Sequence, residues 1–296
     1  MTNFKYFTIL ILGILLTLAS CNDDEEVCAE TTWYQDADGD GLGNPAVSQS
    51  ACDQPDGYVT NDSDTDDSGN ATSTAATPSA ALDEFDTDNV TITQDGSFIT
   101  FTTTGFPNHP SFYYDETNAL YNGDDPCMTS GMPTPHNIDD ETMGFSFTVD
   151  AIPTLAANPS ETGLGTVGLC VSGAPIYNEQ EGNNFAIDDQ LAATMDCGGG
   201  HGGPTGYHYH LEPRNSDYGL SHDDDQLVGI MIDGFLLYGR KCNSTGDYPT
   251  DVDESGGHSH ATQHSDGESI YHYHIVNEFL VSDYIAMFAV DLQGNP

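Results

Sequence analysis

The tetrapeptide Tyr-His-Tyr-His occurs twice in this chain, at residues 207–210 and 271–274. Successive side chains of a β-strand point to opposite faces, so in each copy the two histidines would share one face and the two tyrosines the other. Neutral imidazole is the commonest metal ligand in proteins. The repeated imidazole pair therefore predicts a site that binds a transition metal.

A glycine-rich loop that ends in histidine precedes each copy, as Asp-Cys-Gly-Gly-Gly-His at 196–201 and as Glu-Ser-Gly-Gly-His at 254–258. Glycine lets the backbone approach closely, so we expect each loop to add one imidazole. Ligands of this kind favour copper, zinc or nickel over calcium or magnesium, and we expect copper or zinc. The predicted metal ligands are His201, His208, His210, His258, His272 and His274, with His109, His136 and His222 in a second rank.

Three other uses of the same residues stay open. The histidines and tyrosines could form a buried hydrogen-bond ladder, with each imidazole satisfied by a carboxylate or a backbone group. A metal-dependent extracellular hydrolase or other enzyme could use the same histidines, with Asp196, Asp233, His201 and Arg214 as acid–base and anion-binding candidates. The third alternative is that the chain is an adhesive or structural surface protein. The sequence assigns no catalytic residue, because it contains no nucleophile elbow, phosphate loop or dinucleotide fingerprint.

The elements that must position these histidines are short and β-rich. Strands are predicted near residues 90–93, 97–102, 145–149 and 227–232, which are β-branched or aromatic and bounded by turn residues. Residues 168–177 match residues 229–238, and each reads as strand, Ser-Gly or Asp-Gly turn, strand, the signal of a hairpin. Residues 278–290 could be helix or strand.

We therefore predict a mainly β fold with a single domain of two pseudo-symmetric β units. Each unit comprises a hairpin, a Gly-Gly-His loop and a His-x-His strand. Neither unit would be stable alone, so we expect the two to pair and to place a metal ion between the two Tyr-His-Tyr-His strands. A small calcium-loop module is predicted to precede this domain.

These motifs together resemble the YHYH-domain family. The resemblance rests on residues 196–210, on the run Gly-Ile-x-x-Asp-Gly-Phe-x-x-Tyr-Gly at 229–239 and on the second Tyr-His-Tyr-His, and it extends over most of residues 95–276. It implies an architecture more than an activity.

The N-terminus predicts export. Residues 1–20 carry Lys5 and then a short apolar run, which is typical of a signal peptide. Leu-Ala-Ser-Cys at 18–21 resembles a bacterial lipobox with Cys21 as the lipidated residue, and the acidic residues that follow resemble a surface-export signal. We expect an outer-membrane lipoprotein at the cell surface that contacts the membrane only through its lipid.

The segment after the signal predicts a calcium module. Asp36, Asp38 and Asp40 alternate with small residues, and carboxylates in such a loop suit calcium. Residues 33–67 resemble the thrombospondin type 3-like repeat of Bacteroidetes surface proteins. We assign 1–20 to the signal peptide, 21–70 to this module, 71–82 to a flexible linker and 83–296 to the YHYH domain.

Charge and cysteine content limit the partners. The chain has 48 Asp and Glu against four Lys and Arg, so nucleic acid is excluded as a partner. Metal ions are the expected partners, with extracellular carbohydrate or protein as further candidates. Seven cysteines leave six beside Cys21, and in an exported protein these read as disulfides rather than thiolate ligands. We predict a Cys28–Cys52 pair and leave the pairing of the remaining four cysteines open: Cys127, Cys170, Cys197 and Cys242.

Overall fold

A computed structural model of the chain describes residues 30–36, 43–55, 57–60, 75–129, 138, 144–204, 206–214 and 222–295. The fold is mainly β, as predicted. The elements of the first part are β1 (Thr31–Gln35), β2 (Asn44–Ala51), β3 (Tyr58–Val59), α1 (Ser79–Leu82), β4 (Val90–Asp95), β5 (Phe98–Thr103), β6 (Phe145–Asp150) and β7 (Leu155–Ser160). Next come β8 (Gly168–Cys170), β9 (Pro175–Ile176), β10 (Gln180–Glu181), β11 (Phe185–Ala186), α2 (Asp189–Ala192), β12 (Gly200–Gly203) and β13 (Gly206–Tyr209). The last are β14 (Leu227–Met231), β15 (Leu236–Tyr238), β16 (Gly257–Ala261), β17 (Ser269–His274), β18 (Phe279–Val281), β19 (Tyr284–Ile285) and β20 (Leu292–Gly294).

An eight-stranded sheet carries both Tyr-His-Tyr-His segments, in the order β12-β13-β9-β8-β14-β15-β17-β16. β8 and β14 pair antiparallel at its centre. Read outward from this pair, both halves run in the same way: the two strands of the hairpin, then the Tyr-His-Tyr-His strand, then the strand of the glycine-rich loop at the edge. The superposition of the two halves stays a prediction.

Both predicted hairpins are present, because β8 pairs with β9 and β14 pairs with β15, each antiparallel. Their turns contain Ser172-Gly173 and Asp233-Gly234, in which the glycines have φ of 105° and 90°. Only glycine adopts such angles without strain, so the Ser-Gly and Asp-Gly pairs fix where each hairpin reverses. The strands predicted near 90, 97, 145 and 227 correspond to β4, β5, β6 and β14.

Each face of the large sheet covers a separate part of the core. On one face the four tyrosines of the repeats are buried in a cluster that also contains Phe235 and Met287. On the other face β4, β5 and β6 form a three-stranded sheet whose Ile99, Phe101 and Val149 pack against Leu169 and Ile230 at the sheet centre. Because side chains alternate, the histidines lie on the face that this smaller sheet covers, to either side of its centre.

The structure corrects the prediction of one ion between the two Tyr-His-Tyr-His strands. β13 and β17 are separated by β9, β8, β14 and β15, since each hairpin lies between its own Tyr-His-Tyr-His strand and the sheet centre. Five strand spacings amount to roughly 24 Å along the sheet. The two strands therefore cannot hold one ion in common.

The cysteines also depart from the expectation that all six form disulfides. Cys127 is bonded to Cys197, whereas Cys170 and Cys242 are free and buried. Cys52 is in a disulfide, but its predicted partner Cys28 lies outside the described residues, as do Cys21, Asp38, Asp40 and His136. Residues 278–290, left open between helix and strand, contain β18 and β19. In the part of the chain that the structure describes, no helix is long and apolar enough to cross a membrane.

Candidate metal centres

The first group of histidines lies at the outer edge of the N-terminal half of the sheet. His201 on β12 is paired in register with His208 on β13, and His210 follows directly after β13. The ring centroids of His201 and His208 lie 4.6 Å apart, and those of His208 and His210 lie 4.8 Å apart. The structure therefore brings the three predicted imidazoles of this half together.

Glu181 completes this group, and sequence reasoning missed it. Its Oε1 lies 2.6 Å from Nε2 of His201 and 3.2 Å from Nε2 of His210. These three atoms are buried at ion-pair distances, yet neither contact has hydrogen-bond alignment. Three buried polar atoms that converge in this way are the arrangement that ligands of a shared metal ion would have. We call Glu181, His201, His208 and His210 the carboxylate centre; one ligand atom from each lies within 4.8 Å of the others.

The second group lies at the opposite end of the sheet. His258 on β16 is paired in register with His272 on β17, and His274 ends β17. Nε2 of His274 lies 3.1 Å from Nε2 of His258 and 3.1 Å from Nε2 of His272. The free thiol of Cys242 also belongs to this group, with all four ligand atoms within 4.8 Å of one another. We call Cys242, His258, His272 and His274 the thiol centre.

The hydrogen bonds of the rings determine which nitrogen is available. Nδ1 of His272 donates to the carbonyl oxygen of Ile270 at 2.8 Å, and Nδ1 of His274 donates to that of Gly239 at 2.6 Å. Nδ1 of His258 faces a carboxylate oxygen of Asp251 at 2.9 Å. Because these oxygens only accept, Nδ1 carries the proton and Nε2 keeps its lone pair. Three lone pairs thus point at one another.

Lone pairs that point at one another repel. A proton on one Nε2 could form an Nε2–H···Nε2 bond, but that ring would then be protonated at both nitrogens and carry a positive charge. Burial lowers the pKa of His274 to about 4 and that of His272 well below its ordinary value, with neighbouring imidazoles adding to the shift. The rings are therefore neutral near pH 7. A tetrahedral zinc ion with bonds of 2.0–2.1 Å to nitrogen separates its ligands by about 3.3 Å. The observed spacing is close to this value.

The carboxylate centre follows the same scheme. Nδ1 of His208 donates to the carbonyl oxygen of Gly206 at 3.1 Å, and Nδ1 of His210 donates to that of Asn178 at 2.6 Å. Burial lowers the pKa of His208 well below its ordinary value, and the adjacent His201 and His210 lower it further. Burial alone would raise the pKa of Glu181, but its contacts with His201 and His210 outweigh this and lower it. An ionised carboxylate thus faces the imidazoles of His201 and His210.

Contacts behind the two centres also correspond. Tyr207 donates to Asp196 at 2.9 Å, and Tyr271 donates to Asp253 at 2.8 Å; each aspartate lies five residues before the loop histidine. On the neighbouring tyrosines, Tyr209 contacts Ser172 at 2.9 Å and Tyr273 donates to Asp233 at 2.5 Å. These contacts attach each Tyr-His-Tyr-His strand to its own loop and hairpin, which holds the histidines rigidly in place.

The second-rank histidines lie elsewhere. His109 is buried beside Tyr207 and Tyr209 on the tyrosine face, with its Nδ1 2.9 Å from the carbonyl oxygen of Pro110. His222 is buried, and neither of its ring nitrogens has a hydrogen-bond partner within the described residues. Neither residue belongs to a group of converging ligands in the described ranges.

The acid–base candidates of the enzyme reading do not form one site. Asp196 and Asp233 are buried behind the strands on tyrosine hydroxyls, as described above. Arg214 donates from Nη2 to the carbonyl oxygens of Met195 and Asp196, so that this nitrogen supports the loop. Of the four, His201 is the one that belongs to a centre.

Part of the chain matches a known protein family. A family model described as YHYH protein matches residues 146–252. The chain carries a YHYH domain. The matched range contains the carboxylate centre and Cys242 but ends before His258 and the second Tyr-His-Tyr-His segment, so it is narrower than the resemblance read from the sequence. Neither a curated protein nor a solved structure matches the chain.

Proposed function

We propose that the YHYH domain binds transition-metal ions, copper or zinc, with one ion in each half. The observation that carries this proposal is the convergence of unprotonated Nε2 atoms at the thiol centre, where His274 lies 3.1 Å from both His258 and His272. A bound cation turns this mutual repulsion into coordination. Imidazole suits copper and zinc alike, and the thiol adds a ligand that both accept.

Elemental analysis of metal-loaded, dialysed protein tests the proposal. We expect two ions in the wild type, one in His208→Ala, one in His272→Ala and none in the double variant. Circular dichroism checks that the variants fold. The rival hydrogen-bond ladder predicts no metal in the wild type and a loss of stability when a histidine leaves its partner unsatisfied. A stoichiometry near zero for copper, zinc and nickel would overturn the proposal that the domain binds a metal.

A metal-dependent extracellular hydrolase is a second candidate. It is favoured by the partial exposure of Glu181 and His201, because catalytic metal sites keep a position open to water. Turnover on a panel of esters, phosphoesters and peptides should then disappear in His208→Ala and persist in His272→Ala. An adhesive role alone would leave the converging imidazoles unexplained.

The cellular location of the protein is a separate proposal. We propose an outer-membrane lipoprotein at the cell surface, anchored through Cys21, because Leu-Ala-Ser-Cys follows the apolar run of a signal peptide. Labelling of cells with a clickable fatty acid should mark the wild type and not Cys21→Ala. Protease added to intact cells should remove the protein if it faces outward.

We also propose that residues 21–70 bind calcium, which the alternating carboxylates at 36, 38 and 40 support. Chelation should increase proteolytic cleavage within residues 30–70, and calcium titration should release or absorb heat. Unchanged cleavage together with no heat would reject the module.

A further inference from the structure

The two centres differ in their fourth ligand and in their access to solvent. The side chains of Glu181 and His201 are 25% and 12% exposed, while His208 and His210 behind them are buried. At the thiol centre Cys242 and all three histidines are buried. The converging atoms of the first centre are themselves buried, but the side chains of Glu181 and His201 that carry two of them reach the surface. No ligand side chain of the second centre does so.

The fourth ligands are also held differently. Glu181 lies on β10, which among the described strands pairs with the two-residue strand β11 and is not part of the eight-stranded sheet. Cys242 lies in a tight turn, in which its backbone N–H donates to Asp247 and its carbonyl oxygen accepts from Gly246 at 2.8 Å. The carboxylate can swing on two more side-chain bonds than the thiol can. It can thus release a ligand position without a change in the sheet.

We propose that the carboxylate centre is an exchangeable metal site that accepts water or a small anion as an additional ligand, and that the thiol centre is a closed thiolate site that retains its metal. This inference rests on the proposed metal binding. It assigns the two halves different tasks: structural sites use all four positions for protein ligands, whereas reactive sites leave one for an incoming ligand.

The surroundings of each centre support this division. Beside the carboxylate centre, Phe185 is paired with Glu181 in the short β10–β11 hairpin and is exposed, so the hairpin that carries the fourth ligand lies at the surface. Around the thiol centre a second layer of polar groups is present. Asp251 contacts Nδ1 of His258 at 2.9 Å and Nε2 of His260 at 3.0 Å, and His260 lies 3.5 Å from the sulfur of Cys242. Such second-layer contacts orient ligands and strengthen metal binding.

Cobalt(II) substitution of the full chain tests the division, because cobalt bound to thiolate has a charge-transfer absorption that cobalt bound to imidazole and carboxylate lacks. We expect two cobalt ions, with a thiolate band that disappears in Cys242→Ser. Azide should change the ligand-field spectrum saturably in the wild type and in Cys242→Ser. It should have no effect in His208→Ala, which retains the thiol centre, and it should leave the thiolate band unchanged.

Release of metal to a colorimetric chelator gives a second readout. The wild type should release one ion at least tenfold faster than the other, and the fast phase should be absent in His208→Ala. Equal release rates, or an azide response that persists in His208→Ala, would overturn the division while metal binding itself stands. Absence of cobalt from the wild type would instead reject the proposed function.

Discussion

Glu181 and Cys242 occupy matching positions in the two halves of the domain, each four residues after the tyrosine that ends a hairpin, Tyr177 or Tyr238. Each brings its ligand atom to three imidazoles that come from a glycine-rich loop and a Tyr-His-Tyr-His strand. The supporting carbonyl oxygens match as well, since Asn178 and Gly239 directly follow those tyrosines and accept from His210 and His274. One position of the repeat thus supplies a hard carboxylate in one half and a soft thiol in the other.

The hydroxyl of Tyr273 should contribute more to stability than that of Tyr209. The hydroxyl of Tyr273 donates to the buried carboxylate of Asp233 and accepts from the backbone N–H of Gln293 at 2.6 Å. The hydroxyl of Tyr209 is hydrogen-bonded to the hydroxyl of Ser172, which carries no charge. Tyr273→Phe should lower the free energy of unfolding by about 1–3 kcal/mol and Tyr209→Phe by about 1 kcal/mol. Urea denaturation of both variants checks this. Equal losses in the free energy of unfolding would show that the hydrogen bond from Tyr273 to the carboxylate of Asp233 adds no extra stability.

Two glycines of the loops should differ in their tolerance of a side chain. Gly199 has φ of 87°, and a Cβ there would lie 2.1 Å from the carbonyl oxygen of Leu211. Gly256 has φ of 72°, but its nearest contact would be a methyl group of Val276 at 3.0 Å. Gly256→Ala should cost about 1–3 kcal/mol for the left-handed backbone alone.

Gly199→Ala should cost more, because the clash with the backbone of Leu211 forces the loop to move, and it should also displace His210, whose N–H donates to the carbonyl oxygen of Gly199 at 3.1 Å. His274 donates to Gly256 in the same way at 3.0 Å, but no backbone atom blocks a side chain there. We therefore expect Gly199→Ala to lose the metal of the carboxylate centre and Gly256→Ala to keep both ions. Denaturation curves and elemental analysis measure the two effects. If Gly199→Ala unfolds no more easily than Gly256→Ala, the close approach of Gly199 to Leu211 does not constrain the glycine-rich loop at 196–201.

Acid should destabilise the metal-free protein in part through His222. Burial, reinforced by the charge of Arg240, lowers the pKa of His222 to about 4. The unfolded chain takes up this proton near pH 6.5 and the folded chain does not, so stability falls as pH decreases from 6.5 to 4. One such histidine accounts for about 3 kcal/mol over this range.

The variant His222→Gln should lose less stability than the wild type between these pH values, by about this amount. Urea denaturation in the presence of chelator at a series of pH values measures the difference. The comparison uses the change with pH, so any constant effect of the substitution cancels. If the free energy of unfolding falls with pH in parallel for the two proteins, His222 has the same pKa in the folded and unfolded chains.

The Cys127–Cys197 disulfide should stabilise the domain and the carboxylate centre in particular. It joins residues 70 positions apart, and Cys197 lies four residues before His201. Replacing both cysteines by serine should cost about 4 kcal/mol through the larger entropy of the unfolded chain. Metal release from the carboxylate centre should accelerate while the thiol centre is unaffected. The wild type treated with a phosphine reductant, which also opens the disulfide of Cys52, should release metal as the double variant does.

A good part of the fold could be predicted from local signals. The hairpins follow from Ser172-Gly173 and Asp233-Gly234, whose glycines hold positive φ in the structure. The alternation of tyrosine and histidine predicted which side chains share a face, and the tyrosines are indeed in the core. The fourth ligands could have been found by the same means, since the offset of four residues from Tyr177 and Tyr238 is visible once the hairpins are aligned. Local pattern was sufficient there because turn geometry and strand alternation depend on neighbouring residues.

The sequence alone determined that each half gathers three imidazoles, since strand alternation and a short loop leave little freedom in where His208, His210 and His201 meet. Tertiary structure decided that there are two groups and not one. That outcome depends on the antiparallel pairing of β8 with β14 at the sheet centre, which places the hairpins between the Tyr-His-Tyr-His strands. It also decided that Cys242 stays a thiol while Cys127 and Cys197 pair. A disulfide needs two sulfurs in contact, and only the folded chain determines which cysteines meet.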